Sequence, residues 1–175
     1  MRKRIGEDEI NSLIFLGAFA ILISGTAIGG DLPNPALTPG AIDPYITQQN
    51  IHQTVCIKGY TKTIRPPAHY TNKLKKRQIR EYGYEDRNPK HYEEDHLIAL
   101  SIGGDPRDPH NLWPEPRRSE WNAAKKDQLE FVLYKMVCRN EISLAEAQHE
   151  MGTNWIEAWK RYVPRHKNYR FKRLD

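Results

Sequence analysis

An α+β chain is what the sequence predicts: a mostly helical single domain with a short N-terminal β element and a strand–loop–strand–helix unit near its centre. Three observations predict it. Tyr92–Ser101 is strand-like, with a strongly apolar second half at Leu97, Ile98, Ala99 and Leu100, and after a loop Asn111-Leu112-Trp113-Pro114 returns as a second short strand. Leu129, Val132, Leu133, Met136 and Val137 recur at the spacing of one buried helical face. Ser143-Leu144-Ala145-Glu146 is a capping box, which satisfies two N-terminal amides of a last helix reaching about Tyr162.

From the N-terminus, residues 1–30 form a targeting segment. Arg2-Lys3-Arg4 stands before Ile10–Gly30, which carries no charge, and Leu13–Ile23 is apolar apart from Gly17. The apolar core is short against the ~20 residues of a membrane span, which favours a signal peptide, with small residues at Gly25 and Ala27 for cleavage. Acidic Glu7, Asp8 and Glu9 keep an uncleaved anchor as the alternative. Either way the positive end stays in the cytoplasm and the globular part is exported, secreted or periplasmic or tethered. Membrane contact is expected through this segment only.

Residues 31–50, with Pro33, Pro35, Pro39 and Gly40, read as an extended linker. Ile51–Ile64 is strand-like through Val55, Ile57, Tyr60 and Thr63, turns at Gly59, and ends at Pro66-Pro67. Thr71 or Asn72 caps a helix through about Tyr82, closed by Gly83. Gly103-Gly104-Asp105-Pro106 and Asp108-Pro109 are loop chemistry, and Pro114 and Pro116 end the second strand. The central helix runs from about Glu120 or Trp121 to Arg139. Residues 51–163 make the domain, with 92–130 as its central motif, and 164–175 form a basic tail. No internal repeat or low-complexity tract interrupts it.

The net charge is +5 over 175 residues, and the N-terminal charges cancel, so the surplus belongs to the rest of the chain. Much of it lies at the end, where Lys160, Arg161, Arg165, Lys167, Arg170, Lys172 and Arg173 are interleaved with Tyr162, Tyr169 and Phe171. Cations beside aromatics fit phosphate contact and base stacking, while a solvated terminus is the plainer reading. A second basic run, Lys73 to Arg80, reads first as a solubilising helix face. Cys56 and Cys138 are the two cysteines, compatible with one disulfide in an oxidising compartment or with two buried thiols. Neither has the short Cys/His spacing of a zinc site.

Glu93-Glu94-Asp95-His96, then Asn111, then Asn122, assembles what metal-assisted phosphodiester cleavage requires. A hard cation, Mg²⁺ first and Mn²⁺ or Zn²⁺ in its place, prefers carboxylate and amide oxygens, which Asp95 and Asn122 can supply. His96 is suited to deprotonate water near neutral pH, provided one ring nitrogen stays a free acceptor while the other is held. The side-chain or backbone carbonyl of Asn111 is assigned that holding role. Adjacent strand residues face opposite ways, so Glu94, on the same face as His96, is a rival ligand to Asp95. Arg107, Arg117 and Arg118, with Lys125 and Lys126 at the helix start, are candidates for phosphate contact. His91 and His110 flank the motif.

Asp95-His96, the Gly103-Gly104 turn, Asn111-Leu112-Trp113-Pro114 and the helix carrying Asn122 resemble an HNH-type nuclease. More loosely, residues 32–162 are similar to exported bacterial or phage proteins of that kind, through Thr54-Val55-Cys56, Arg65-Pro66-Pro67 and Glu93-Glu94-Asp95-His96. The resemblance implies a small ββα-metal finger (His-Me finger) in an H-N-N version, since Asn122 stands where the pattern has a third histidine. It implies Asp95 as metal ligand, His96 as general base, Asn111 as its positioner and Asn122 as second ligand, with Asp127, one turn along, the rival for the last place. The expected function is a metal-dependent endonuclease acting as a monomer on DNA, ahead of RNA. The alternative is a non-catalytic exported protein that binds nucleic acid or another polyanion and keeps the finger as structure.

Overall fold

The computed structural model describes residues 30–169, so residues 1–29 of the expected targeting segment and the last six residues of the expected basic tail lie outside the described residues. The elements in chain order are α1 (Tyr60–Ile64), α2 (Ala68–Glu81), β1 (Tyr92–His96), β2 (Leu112–Pro116), α3 (Ala123–Cys138) and α4 (Leu144–Tyr162), joined by short 3₁₀ turns. Helices and one two-stranded sheet make an α+β fold.

β1 and β2 pair antiparallel, from Tyr92 opposite Pro116 to His96 opposite Leu112. The first strand is shorter than its apolar run suggested. Beyond His96, the Leu97 amide bonds the Asn111 carbonyl and the Ile98 amide bonds the Asn111 side chain; Leu100–Ile102 then coils into a 3₁₀ turn. An uninterrupted apolar run specifies burial on every side and no particular backbone shape, so it fits a buried turn as well as a strand.

The N-terminal β element is not formed. Ile51–Gln53 is a 3₁₀ turn, Gly59 adopts a left-handed φ of 87°, and Tyr60–Ile64 is helical. β propensity has force only beside a partner edge, and here Ile51 and Val55 enter the core from a coiled segment that the Cys56–Cys138 disulfide ties to the end of α3. Residues 31–50 are likewise docked and not an extended linker. Thr38 and Ile46 are buried, Gly40 N donates to the His110 carbonyl, and Ile42 forms an isolated bridge with Gly104.

Three helices lie where the sequence places them, but two start elsewhere: α2 begins at Ala68 after Pro67, so Thr71 and Asn72 lie inside it and do not cap it, and α3 begins at Ala123, capped by Asn122, after Glu120 and Trp121. α2 ends where Gly83, at φ 69°, lets its amide reach the Arg80 carbonyl. α3 buries Leu129, Val132, Leu133, Met136 and Val137 as its spacing predicts. α4 starts at the Ser143 cap and breaks at Asn154, whose side chain accepts from the Glu157 amide and so caps the second half. Trp113 and Trp155, both fully buried, belong to one core that spans the hairpin, α3 and α4. The hairpin is thereby clamped from outside, and its end at His96 and Leu112 becomes a fixed platform.

Candidate active site

Alternation along β1 sends two neighbouring side chains to different surroundings. Asp95 faces α3, with its Oδ2 2.7 Å from Lys126 Nζ. His96, only 3% exposed, turns its ring to the loop, with Nε2 3.1 Å from the Pro106 carbonyl oxygen. A ring nitrogen that meets a carbonyl must carry the proton, so Nε2–H donates and Nδ1 keeps its lone pair. Burial pushes the His96 pKa down to about 4, against the raising effects of Asp95 and Pro106 and with help from Arg65 and Lys126. The imidazole is neutral at pH 7, the form that accepts a proton.

The carbonyl that holds the ring belongs to Pro106, which corrects the assignment of that contact to Asn111. Asn111 is fully buried and its groups are committed elsewhere. Its Oδ1 accepts from Ile98 N at 2.9 Å, and Nδ2 donates to the Ile98 and Asp105 carbonyls, each at 3.0 Å. Asp105 in turn accepts from the Arg107 and Asp108 amides at 2.8 Å, which shapes the loop around Pro106. Asn111 therefore positions His96 at one remove. Gly104 has no room for a side chain beneath this network: a Cβ there would lie 1.8 Å from the Ile98 oxygen.

Lys126 is completely buried, so the expectation that it meets phosphate gives way to an internal ion pair. Its ammonium has three donors, and they reach Asp95 Oδ2 at 2.7 Å, the His96 carbonyl at 2.6 Å and Glu130 Oε1 at 2.5 Å. Glu115, also fully buried, lies in the same cluster, and neither of its oxygens finds a donor. Burial pushes the Glu115 pKa well up, so the carboxyl keeps its proton, as two adjoining carboxylates cannot both ionise. Burial opposes the charge on Asp95 too, but Lys126, Glu115 and His96 hold its carboxyl well below the usual range. Asp95 is the ionised member.

The rivals are placed differently. Burial raises Glu94 to about 9, and both of its oxygens lack partners, so it is a neutral acid at pH 7. Asp127 lies close enough to Glu130 to raise that carboxyl. Asn122 is the N-cap of α3: Oδ1 accepts from Lys125 N at 3.2 Å and Nδ2 donates to the Ser119 carbonyl at 3.0 Å. Among the described residues no group of three or more His, Cys, Asp or Glu is gathered as a metal cage.

The cations divide between the two ends of the hairpin. Arg107 is exposed in the loop beside Pro106, and exposed Arg65 is near enough to His96 to disfavour its protonation. Arg117 and Arg118 follow Pro116, which pairs with Tyr92 at the far end, about 13 Å of strand from His96. Arg117 there bonds Glu93 at 3.0 Å. Lys125 lies 4.2 Å from the Trp121 ring centroid, a cation–π contact. His91 pairs with Asp86 and His110 with Asp108, so both flanking histidines have carboxylate partners.

Sequence reasoning missed Pro106, Arg65 and the Lys126–Glu130–Glu115 cluster. The Lys126/Glu130 spacing of four was a visible helix-pair signal, but its burial was not. Against this geometry, a scan of family models and searches of curated proteins and of solved structures gave no match to the chain.

Proposed function

We propose that the chain is an endonuclease of the HNH kind, hydrolysing phosphodiesters in DNA ahead of RNA, with β1, β2 and α3 as its ββα finger. One observation carries the reading: the His96 ring is neutral and fixed through Nε2 on the Pro106 carbonyl, which leaves Nδ1 its lone pair, with exposed Arg107 next to Pro106 in the chain and exposed Arg65 near enough to act on the ring's charge. In this mechanism Nδ1 takes a proton from water as the oxygen attacks phosphorus. Arg65 and Arg107 bind the non-bridging oxygens, and the Pro106 contact stabilises the imidazolium that forms.

A divalent cation belongs to the same reading. Asp95 is the ionised carboxylate that a hard cation needs, with Lys126 on Oδ2, and Asn122 Oδ1 has accepted one hydrogen bond, so each retains a lone pair. Two protein oxygens plus water suit Mg²⁺, with Mn²⁺ or Zn²⁺ as alternatives, and its charge would neutralise the departing alkoxide. The Cys56–Cys138 disulfide supports the accompanying reading of export.

The alternative, a non-catalytic polyanion binder, draws on the same Lys126–Asp95 pair, which gives the finger a structural role of its own. A plasmid-nicking assay across Mg²⁺, Mn²⁺, Ca²⁺ and Zn²⁺ separates the two. Nicking that His96→Ala abolishes while the variant keeps the wild-type fold supports the hydrolase. Plasmid binding with no nicking under any cation refutes it.

A further inference from the structure

Lys76, Ile79 and Arg80 on α2, with Arg87 and Pro89 beyond it, line one surface concavity. Three cations face it, and among the described residues none of them has a carboxylate within ion-pair distance. Two neighbouring acids are engaged elsewhere, Glu81 with Arg77 at 3.2 Å and Asp86 with His91 at 2.5 Å. Arg87 is held in place by its neighbours. Asn88 N donates to Asp86 Oδ1 at 2.9 Å, and Lys90 N donates to Asn88 Oδ1 at 3.1 Å, so the segment is a pair of side-chain-capped turns. Ile79 and Pro89 supply an apolar floor, which lowers the local dielectric and strengthens attraction for an anion.

Its place in the fold says which anion. Pro89 opens the turn that leads directly into β1, so the Arg87–Pro89 rim of the concavity lies at the Tyr92 end of the hairpin, opposite the His96 end. A strand length of about 13 Å separates those ends, comparable to roughly four steps of rise along one DNA strand. A mononucleotide cannot occupy both ends together; a polymer of regularly spaced phosphates can. We infer that Lys76, Arg80 and Arg87 form a second backbone-phosphate site, which grips duplex DNA a few nucleotides from the bond presented to His96. The inference rests on the nucleic-acid reading above, but binding tests it separately from cleavage.

The experiment measures binding of the full chain to a fluorescent duplex of roughly 20 base pairs in EDTA as salt is varied, with a gel to verify that the duplex stays intact. Lys76→Gln/Arg80→Gln/Arg87→Gln is compared with Lys58→Gln/Lys62→Gln/Arg139→Gln, which removes equal charge elsewhere on the exposed surface. Expected is an affinity loss of about 10- to 100-fold near 0.1 M salt, and a salt slope lower by about 2–3, for the pocket variant alone. Equal losses in both variants overturn the proposal, since net charge would then be the cause. So does inorganic phosphate binding that the pocket variant abolishes while duplex affinity is unchanged, which would mark a site for free phosphate. A pocket-dependent duplex affinity without plasmid nicking keeps this site and removes the hydrolase.

Discussion

Lys126 reaches from α3 to Asp95 on β1, Nζ to Oδ2 2.7 Å, and the same ammonium bonds the His96 carbonyl at 2.6 Å. One buried cation thus joins helix to hairpin at the residue next to His96. Lys126→Met leaves the Asp95 charge buried without its partner, and a loss of about 3–5 kcal/mol is expected. Chemical denaturation measures it; a loss below ~1 kcal/mol would mean that the pair holds nothing together.

Activity should keep its full value to lower pH than an ordinary histidine allows. The folded His96 pKa is about 4, so Nδ1 stays unprotonated as pH falls past 6.5, and the acid limb of kcat/KM should lie near 4. An acid limb near 6.5 would show a ring hydrated and free of its burial.

Glu94 predicts the opposite trend in stability. Its carboxyl titrates at about 9 in the fold, against 4.5 unperturbed, so folding retains a proton that the unfolded chain releases. The stability this group contributes is complete below about pH 4.5 and is lost as pH rises through about 9. Glu94→Gln carries no titrating proton, so the melting temperature of the variant should gain on the wild type steadily from pH 5 to 9. Parallel curves would contradict the buried acid.

Gly104 and Gly83 separate two uses of glycine. A Cβ at Gly104 meets the Ile98 oxygen at 1.8 Å and Asn111 Nδ2 at 2.8 Å, whereas one at Gly83 meets nothing within 4 Å. Gly104→Ala is expected to cost about 3 kcal/mol or more and to displace the Pro106 carbonyl from His96. Gly83→Ala should cost about 1 kcal/mol, from its positive φ alone. Urea titrations of the two variants give the contrast, and equal costs would refute it.

Cys56 and Cys138 are 82 residues apart, so their bond restricts a large loop of the unfolded chain. Replacing both with serine should lower stability by about 2–5 kcal/mol, measured by urea unfolding under non-reducing conditions. A change within ~0.5 kcal/mol would place the constraint outside the folding unit.

Local chemistry wrote much of this protein into its sequence. The Ser143 cap, the Gly83 stop, the α3 apolar stripe and the Asp95-His96 pair before a two-glycine loop each depend on neighbours within a few residues, and pattern reading finds such features. Other features were decided by tertiary packing. Ile51–Ile64 lost its strand character because the fold offers it no edge to pair with. The ring of His96 found the Pro106 carbonyl because Asn111, the nearer expectation, was consumed in closing the loop. Lys126 reads as one more surface cation until α3 lies on the hairpin. Burial then turns it inward to Asp95, thirty-one residues away in the chain, because a charge removed from water must find an opposite charge within reach.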